Sequence, residues 1–265
     1  MRVSVVGVGF VGGAVYKVFK EKGVNIVCYD KYKQTDTFTQ CLESDIMFMC
    51  LPTLYDDNNN QYNTSAIHET CEQLNNFMYN GVVIIKSTVE PEFTLQLSNT
   101  YKRLKIIHNP EFLTARTALD DFRNQTHIVL GATDNLTNSD VMFVKTFYET
   151  HFPNAIISIC SSTESESMKI FANSFYAVKI QFFNELYLTC QKNNANYNNI
   201  LQLMLKNGWI NEMHTTIPGH DGQLSYGGAC FPKDTKALLS YMKKNEVACN
   251  VLNATIMERE LMRDD

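Results

Sequence analysis

The sequence predicts an α/β protein: an N-terminal doubly wound, Rossmann-type domain over residues 1–160, then a long central helix and an all-helical second domain over 161–265. Three observations carry that expectation. Short Val- and Ile-rich runs alternate with helical patterns through the first 160 residues, the mark of βαβ units and a mostly parallel sheet. A glycine turn, Gly7-Val8-Gly9-Phe10-Val11-Gly12, directly follows the first of these runs. Residues 161–193 contain neither Gly nor Pro, and apolar residues recur there at helical spacing.

Taken in order, Arg2–Val8 reads as a strand, Val11–Lys22 as a helix closed by Gly23, and Val24–Asp30 as a second strand. Asp45–Leu51 and Gly81–Lys86 read as buried strands, with a helix at about Ser65–Tyr79 between them. Leu104–Ile107 and Thr126–Gly131 are further strands, and the Asp- and Asn-rich stretch Asp56–Asn63 reads as a solvated loop. After Ala155–Cys160, the residues Met168, Phe171, Phe175, Val178, Phe182 and Leu186 mark one face of a helix of about 30 residues, about 45 Å long at 1.5 Å per residue. One small lobe does not cover such a length. Its apolar face is expected to meet a second copy in a homodimer. The remainder reads as shorter helices interrupted by the Gly-rich loop Pro218–Gly228.

Composition narrows the function. The 265 residues are 45% hydrophobic and 19% charged, with a net charge of −5, so no general field attracts nucleic acid or an anionic membrane. Neither is expected as a partner. The chain opens on a strand pattern rather than a leader, and no apolar run approaches the roughly 20 residues that span a bilayer, so a cytoplasmic protein is expected. Eight scattered cysteines form no CxxC pair, which indicates neither a zinc site nor a disulfide scaffold. No metal is expected.

The turn Gly7–Gly12 fits G-x-G-x-x-G, a weak signal alone. Here it follows a strand, opens a helix and precedes a second strand within about 30 residues, the context in which the motif binds a dinucleotide. Gly7 makes the tight turn, Gly9 admits the pyrophosphate, and Gly12 lets helix and strand pack closely. Asp30 ends the second strand, where a carboxylate accepts hydrogen bonds from ribose hydroxyls and repels a 2′-phosphate. NAD is therefore preferred over NADP, although Lys31 and Lys33 follow closely enough to tolerate a phosphate.

Four further segments carry candidate chemistry. Ile85-Lys86-Ser87-Thr88-Val89 ends a strand, where α/β sheets place ligand contacts, and Asn109-Pro110-Glu111-Phe112-Leu113 is a polar turn in an apolar run. Lys169 and Asn173 are four apart on the long helix and so share a face. Gly227-Gly228-Ala229-Cys230-Phe231-Pro232-Lys233-Asp234-Thr235 places a cysteine just before a helix that starts at proline. Each residue has a bland reading as well. Cys230 fits a packed apolar position, Lys169 a solvated helix position, Glu111 a turn cap and Thr88 a strand end.

Together these motifs resemble the UDP-glucose/GDP-mannose dehydrogenase family. GVGFVG, STV, NPEFL, the K-x-x-x-N pair within Met168–Asn173, FNEL at Phe183–Leu186 and GGACFPKD stand in the family's order and spacing. The resemblance implies oxidation of the C6 alcohol of a nucleotide sugar to a carboxylate with two NAD⁺. It places Cys230 as the thiolate that forms a thiohemiacetal and then a thioester. A helix start at Pro232 and the nearby Lys233 would lower the Cys230 pKa. Lys169 and Asn173 would stabilise oxyanions at C6, Asp234 would act as base through a water held by Thr88, and Glu111 would position substrate or water. NAD contacts are implied at Gly7, Gly9, Phe10, Val11, Gly12, Asp30, Pro52, Thr53, Thr88 and Lys233. Substrate contacts are implied at Glu111, Phe112, Leu113, Lys169, Asn173, His214, Gly227 and Gly228. UDP-glucose leads among substrates, with GDP-mannose and UDP-N-acetylhexosamines as alternatives and a non-catalytic binding subunit as the reading from another class.

The chain departs from the family at three points. Ala115 stands where many members carry a second glutamate, which makes slow thioester hydrolysis an expectation, and Arg116 beside it is a candidate for substrate anions or a plain surface charge. His214, sixteen residues before Cys230, stands where well-studied branches have an arginine that reaches the neighbouring subunit. It accompanies the element Pro218-Gly219-His220-Asp221-Gly222, a branch feature. Only 31 residues follow Asp234, so the family's third domain is expected to be missing.

Overall fold

Val3–Val6, Ile46–Met49 and Val82–Ile85 are buried at every position and form neighbouring strands of one sheet. The structure is a computed structural model that describes residues 1–264, leaving the last residue of the expected second domain, Asp265, outside the described residues. In chain order its elements up to the long helix are β1 (Val3–Val6), α1 (Phe10–Glu21), β2 (Ile26–Tyr29), α2 (Phe38–Cys41), β3 (Ile46–Met49), β4 (Tyr55–Asp56), β5 (Gln61–Tyr62), α3 (Ser65–Asn76), β6 (Val82–Ile85), α4 (Phe93–Thr100), β7 (Lys105–His108), α5 (Ala118–Arg123), β8 (His127–Ala132), α6 (Asn138–His151) and β9 (Ile156–Ser161). The long helix is α7 (Ser162–Lys192), followed by α8 (Tyr197–Leu205), α9 (Phe231–Lys244) and α10 (Asn250–Met262).

The chain divides into two compact units: Met1–Leu54 with Tyr62–Lys169, and Tyr55–Gln61 with Ile170–Asp265. Unit 1 holds a seven-stranded sheet in the order β2-β1-β3-β6-β7-β8-β9. Every pairing is parallel except β7 with β8. Strand alternation sends Ile46 and Phe48 to one face and Met47 and Met49 to the other, and each face has its own apolar core. Phe19 anchors the first core, 5.4 Å from Phe48 and 4.9 Å from Phe147 between ring centroids. Strands covered on both faces read as near-continuous apolar runs, so sequence and structure agree on them within a residue or two.

Two expectations meet differences here. The segment Asp56–Asn63 is not merely a solvated loop: Tyr55–Asp56 and Gln61–Tyr62 pair as a two-stranded hairpin. Within unit 2, Tyr55 Oη lies 2.7 Å from Ser240 Oγ, and Lys236 pairs with Asp57 at 2.9 Å. The division between units also falls at Lys169, two turns into α7, rather than at residue 160. Packing explains the difference. A Cβ on Gly131 would come within 2.5 Å of Ser165 Cβ, and His108 Nδ1 lies 2.8 Å from Ser165 Oγ, so the first turns of α7 lie close against unit 1's sheet.

Candidate active site

In unit 1 the parallel strands end together, and the loops after them converge. The strand order reverses between β1 and β3, the place where doubly wound sheets open a ligand crevice. Gly7 has φ +88, and a Cβ there would come 2.5 Å from the Cys50 carbonyl oxygen at the end of β3. A Cβ on Gly12 would overlap the Gly7 carbonyl oxygen. Gly9 differs. At φ −81 it caps α1, and a Cβ there would meet nothing within 4 Å, so no protein atom accounts for its missing side chain. Phe10, exposed, and Val11, half-buried against the first core, form the first turn of α1.

Asp30 follows β2, accepts a hydrogen bond from the Val8 amide at 2.8 Å, and so ties the glycine turn to the second strand. Its other oxygen accepts from the Tyr32 amide at 3.0 Å. Both nearby lysines are engaged elsewhere: Lys31 pairs with Glu69 and Lys33 donates to the Val8 carbonyl. The loops after β3 and β6 are laced together, Ser87 Oγ donating to Leu51 O at 2.6 Å and Thr53 Oγ1 to Thr88 O at 2.7 Å. Pro52 between them is exposed.

A buried cluster supports the turn after β7. Lys86 Nζ donates to Asn109 O at 3.0 Å and to Asn109 Oδ1 at 2.8 Å, and Asn109 Nδ2 donates to Val129 O at 2.7 Å. Burial pushes Lys86 down to about 8 and His108 down to about 3. Asn109 thus fixes the entry to Glu111. The Glu111 carboxylate accepts from the Leu113 amide at 2.5 Å and pairs with Lys169 at 3.1 Å, while Lys169 Nζ also donates to the Glu111 carbonyl at 2.7 Å. Both side chains are more than 90% buried, so the pair is held with little solvent between its charges. Phe112 is exposed and stacks on His127. Ala115 and Arg116 are exposed.

Unit 2 gathers the rest. Cys230 is the exposed N-cap residue of α9, and Pro232 stands in the first turn. Asp234, fully buried, accepts from Asn173 Nδ2 at 2.6 Å and pairs with Lys233 at 2.5 Å. His214 does not extend outward. Its ring packs 4.8 Å from Tyr176 and 5.6 Å from Phe231, burial holds its pKa below the usual histidine value, and its φ is +68. Lys179 supports that turn by donating to the carbonyls of Asn211 and Met213. Gly227 is half-buried and Gly228, at φ +81, is exposed.

Sequence reasoning passed over several residues that the structure puts to use. Lys86 and Asp221 stood in quoted motifs without a role, and Glu166, Arg259 and Arg263 were not singled out. Their partners are 23 to 72 residues away in the chain, and no local spacing announces the contacts. Among the described residues no group of His, Cys, Asp and Glu suits a metal ion, no disulfide forms, and no helix is long and apolar enough to cross a membrane.

Comparison with known proteins gives these halves a context. Residues 30–151 match the NAD binding domain of the UDP-glucose/GDP-mannose dehydrogenase family, and residues 163–258 match its central domain. A UDP-glucose 6-dehydrogenase of Campylobacter jejuni is 31% identical over 199 residues, 74% of this chain and 48% of that protein. One from Rhizobium meliloti is 24% identical over 296 residues, 97% of this chain and 67% of that protein. The chain thus spans about half to two thirds of these relatives' length. In fold it is similar to a UDP-glucose dehydrogenase of Pyrobaculum islandicum, with a TM-score of 0.86 at 21% identity over 98% of this chain and 68% of that one.

Proposed function

This chain belongs to the UDP-glucose/GDP-mannose dehydrogenase family, with an NAD-binding domain, and on that premise we propose that it oxidises the C6 alcohol of a nucleotide sugar to the acid. UDP-glucose is the substrate we favour, because the curated relatives carry that name. The observation that carries the reading is the pairing of an exposed Cys230 at the N-terminus of α9 with a buried Asp234 in its first turn, held by Asn173.

The dinucleotide fits the loop at Gly9, where the space beside the Cα is open at a helix N-terminus that supplies N–H donors. Asp30 keeps lone pairs for the ribose hydroxyls beyond the two amides it already accepts. Pro52, Thr53 and Thr88 follow the ends of β3 and β6 beside it, and the family resemblance adds Lys233 as a further contact of the dinucleotide. NAD⁺, when bound, accepts a hydride from C6 in each of two steps.

In the first step the alcohol loses its hydroxyl proton and a hydride, leaving an aldehyde. The Cys230 thiolate then adds to C6, forming a C–S bond as the carbonyl π bond opens, and the oxygen takes back the proton that the alcohol released, which gives a thiohemiacetal. Loss of the second hydride and that proton leaves a thioester. Water attacks the thioester, the C–S bond breaks, and the thiolate returns as the carboxylate leaves. Lys169 and Asn173 donate to the C6 oxygen as it gains charge, and Asp234 takes the proton of the attacking water, which Thr88 helps to hold. Glu111 orients Lys169 and, with Phe112, Leu113, His214, Gly227 and Gly228, meets the substrate. Mixing protein, NAD⁺ and single nucleotide sugars while following NADH absorbance tests the reading. Two NADH per sugar acid support it. No NADH from UDP-glucose, GDP-mannose or UDP-N-acetylhexosamines, with NAD⁺ still bound, replaces it with a binding subunit.

A second copy of this chain is the partner we propose for α7. Phe171, Phe175 and Phe182 stand 51%, 62% and 53% exposed along it, and Phe171 and Phe175 line a groove of about 360 Å³ with Leu238, Met242 and Val251. Exposed aromatic residues in such a row mark an interface. Light scattering at micromolar concentration should give twice the chain mass; a monomer would remove the proposal.

A further inference from the structure

Arg259 and Arg263 lie one turn apart at the end of α10, and both are buried. An arginine that loses its hydration needs partners, and these two find them in the loop that leads to Cys230. Arg259 Nε donates to the Tyr226 carbonyl at 3.3 Å. Arg263 Nη2 donates to Asp221 Oδ2 at 2.8 Å, with the arginine side chain 3% exposed. The Arg263 guanidinium also lies against Gly227. A Cβ there would come 2.5 Å from Cζ and 2.9 Å from Nη1, closer than real Cβ atoms approach anything.

The two glycines of this loop therefore differ in purpose. Gly228 has φ +81 and open space around it, so it serves backbone conformation. Gly227 is not left-handed, and what requires glycine there is the arginine bedded on it. The loop is pinned at Asp221, Tyr226 and Gly227, and the last of these is three residues before Cys230.

We infer that Arg263 is a positioning residue for Cys230. Its planar fork, fixed by Asp221 and seated on Gly227, sets the path of the loop and holds the thiol at the N-terminus of α9. A lysine keeps the charge but has no plane to seat on Gly227 and no fork to meet Asp221. The inference rests on the proposed role of Cys230 as nucleophile, so its test includes a measurement that needs no substrate.

That measurement is the pH dependence of Cys230 alkylation by iodoacetamide, read by mass on the peptide that contains it, in wild type, Arg263→Lys and Asp221→Asn. Both variants should raise the alkylation midpoint by about half a pH unit, because the thiolate loses the helix N-terminus. Where turnover is measurable, kcat for acid formation should fall about tenfold while KM for NAD⁺ stays unchanged. The double variant should be no worse than Arg263→Lys alone, since the two side chains act as one device. Wild-type midpoints in both variants overturn the inference. A raised midpoint in a protein that oxidises no nucleotide sugar leaves the clamp standing and removes the functional reading instead. Asp221 lies at the surface, so Asp221→Asn decides the matter should Arg263→Lys fail to fold.

Discussion

In unit 1 the glycine turn, Asp30, Thr53 and Thr88 all follow the carboxyl ends of strands whose neighbours and register are fixed by the sheet. In unit 2 Cys230 ends a long loop that carries no strand of its own, and side chains of α7 and α10 hold that loop. These strand-end residues of unit 1 are placed by backbone pairing, whereas the Cys230 loop of unit 2 is held by buried side chains, as is the Glu111 turn of unit 1. The difference teaches where each is vulnerable. Backbone bonds hold a paired strand end whatever its side chains, whereas the loop rests on side chains: Arg259 and Arg263 of α10, and Asn184 and Gln181 of α7, which meet Ser225.

The largest effect expected from breaking the unit 2 half is at the nucleophile itself. Cys230→Ser should still bind NAD⁺, because the dinucleotide loop lies in the other unit, while acid formation falls by about a thousandfold or more, since a serine alkoxide is scarce at neutral pH. Product stopped at the aldehyde or an ester would be the mark of it. In wild type, rapid quenching should reveal an acyl mass on the Cys230 peptide, the expectation that Ala115 raises. Near wild-type acid formation by Cys230→Ala would end the covalent mechanism.

The unit 1 half is best broken by comparing two glycines. Gly12→Ala should unfold or strongly destabilise the domain, because its Cβ overlaps the Gly7 carbonyl. Gly9→Ala meets no protein atom, so its thermal midpoint should match wild type while NAD⁺ affinity drops about tenfold. Unchanged affinity in Gly9→Ala would show that no pyrophosphate passes there.

A smaller effect concerns cofactor choice. Wild type should bind NAD⁺ about tenfold more tightly than NADP⁺, and Asp30→Ala should shrink that ratio. Titration of both cofactors checks it, and equal wild-type affinities would dismiss Asp30 from the role.

The smallest expected effect lies where α7 joins unit 1. Glu166 is fully buried, accepts from the Thr94 amide at 2.7 Å, and is pushed up to about 7 by burial. A carboxyl whose folded pKa exceeds its unfolded value holds its proton longer in the folded state. Its contribution to stability is therefore full below about pH 4.5 and is lost as pH rises through about 7. Thermal midpoints measured from pH 5 to 8 should slope downward more in wild type than in Glu166→Gln. Parallel slopes would show that Glu166 does not titrate in this range.

How much was legible follows the same division. β1, β3 and β6 announce themselves as apolar runs because both faces of a parallel strand are buried, and α7 shows its 31 residues through the absence of any helix breaker. α6 was not assigned, although its capping box, Thr137 with Asp140, is a local signal that marks its start. The hairpin at Tyr55–Tyr62 could not be read, since Asp and Asn suit a loop equally well and its support at Ser240 lies 185 residues away. For the same reason Cys230, Lys169, Asn173 and Asp234 became candidates through motif order, while the Arg263–Asp221 pair, a contact across 42 residues, could not be read, although Asp221 stood in a quoted element.

The hairpin has one more consequence, for anyone who would divide this chain. The polypeptide passes from unit 1 to unit 2 after Leu54, returns at Tyr62, and leaves again after Lys169, so the units are joined by three strands of chain rather than one. Cutting within α7 severs only the last of these. An N-terminal fragment ending there would carry Tyr55 and Asp57 away from the Ser240 and Lys236 they meet, and a C-terminal fragment would begin without its hairpin. Exchange of either unit between relatives must therefore move residues 55–61 with the C-terminal piece, an unusual splice for two units that read in sequence as simple neighbours.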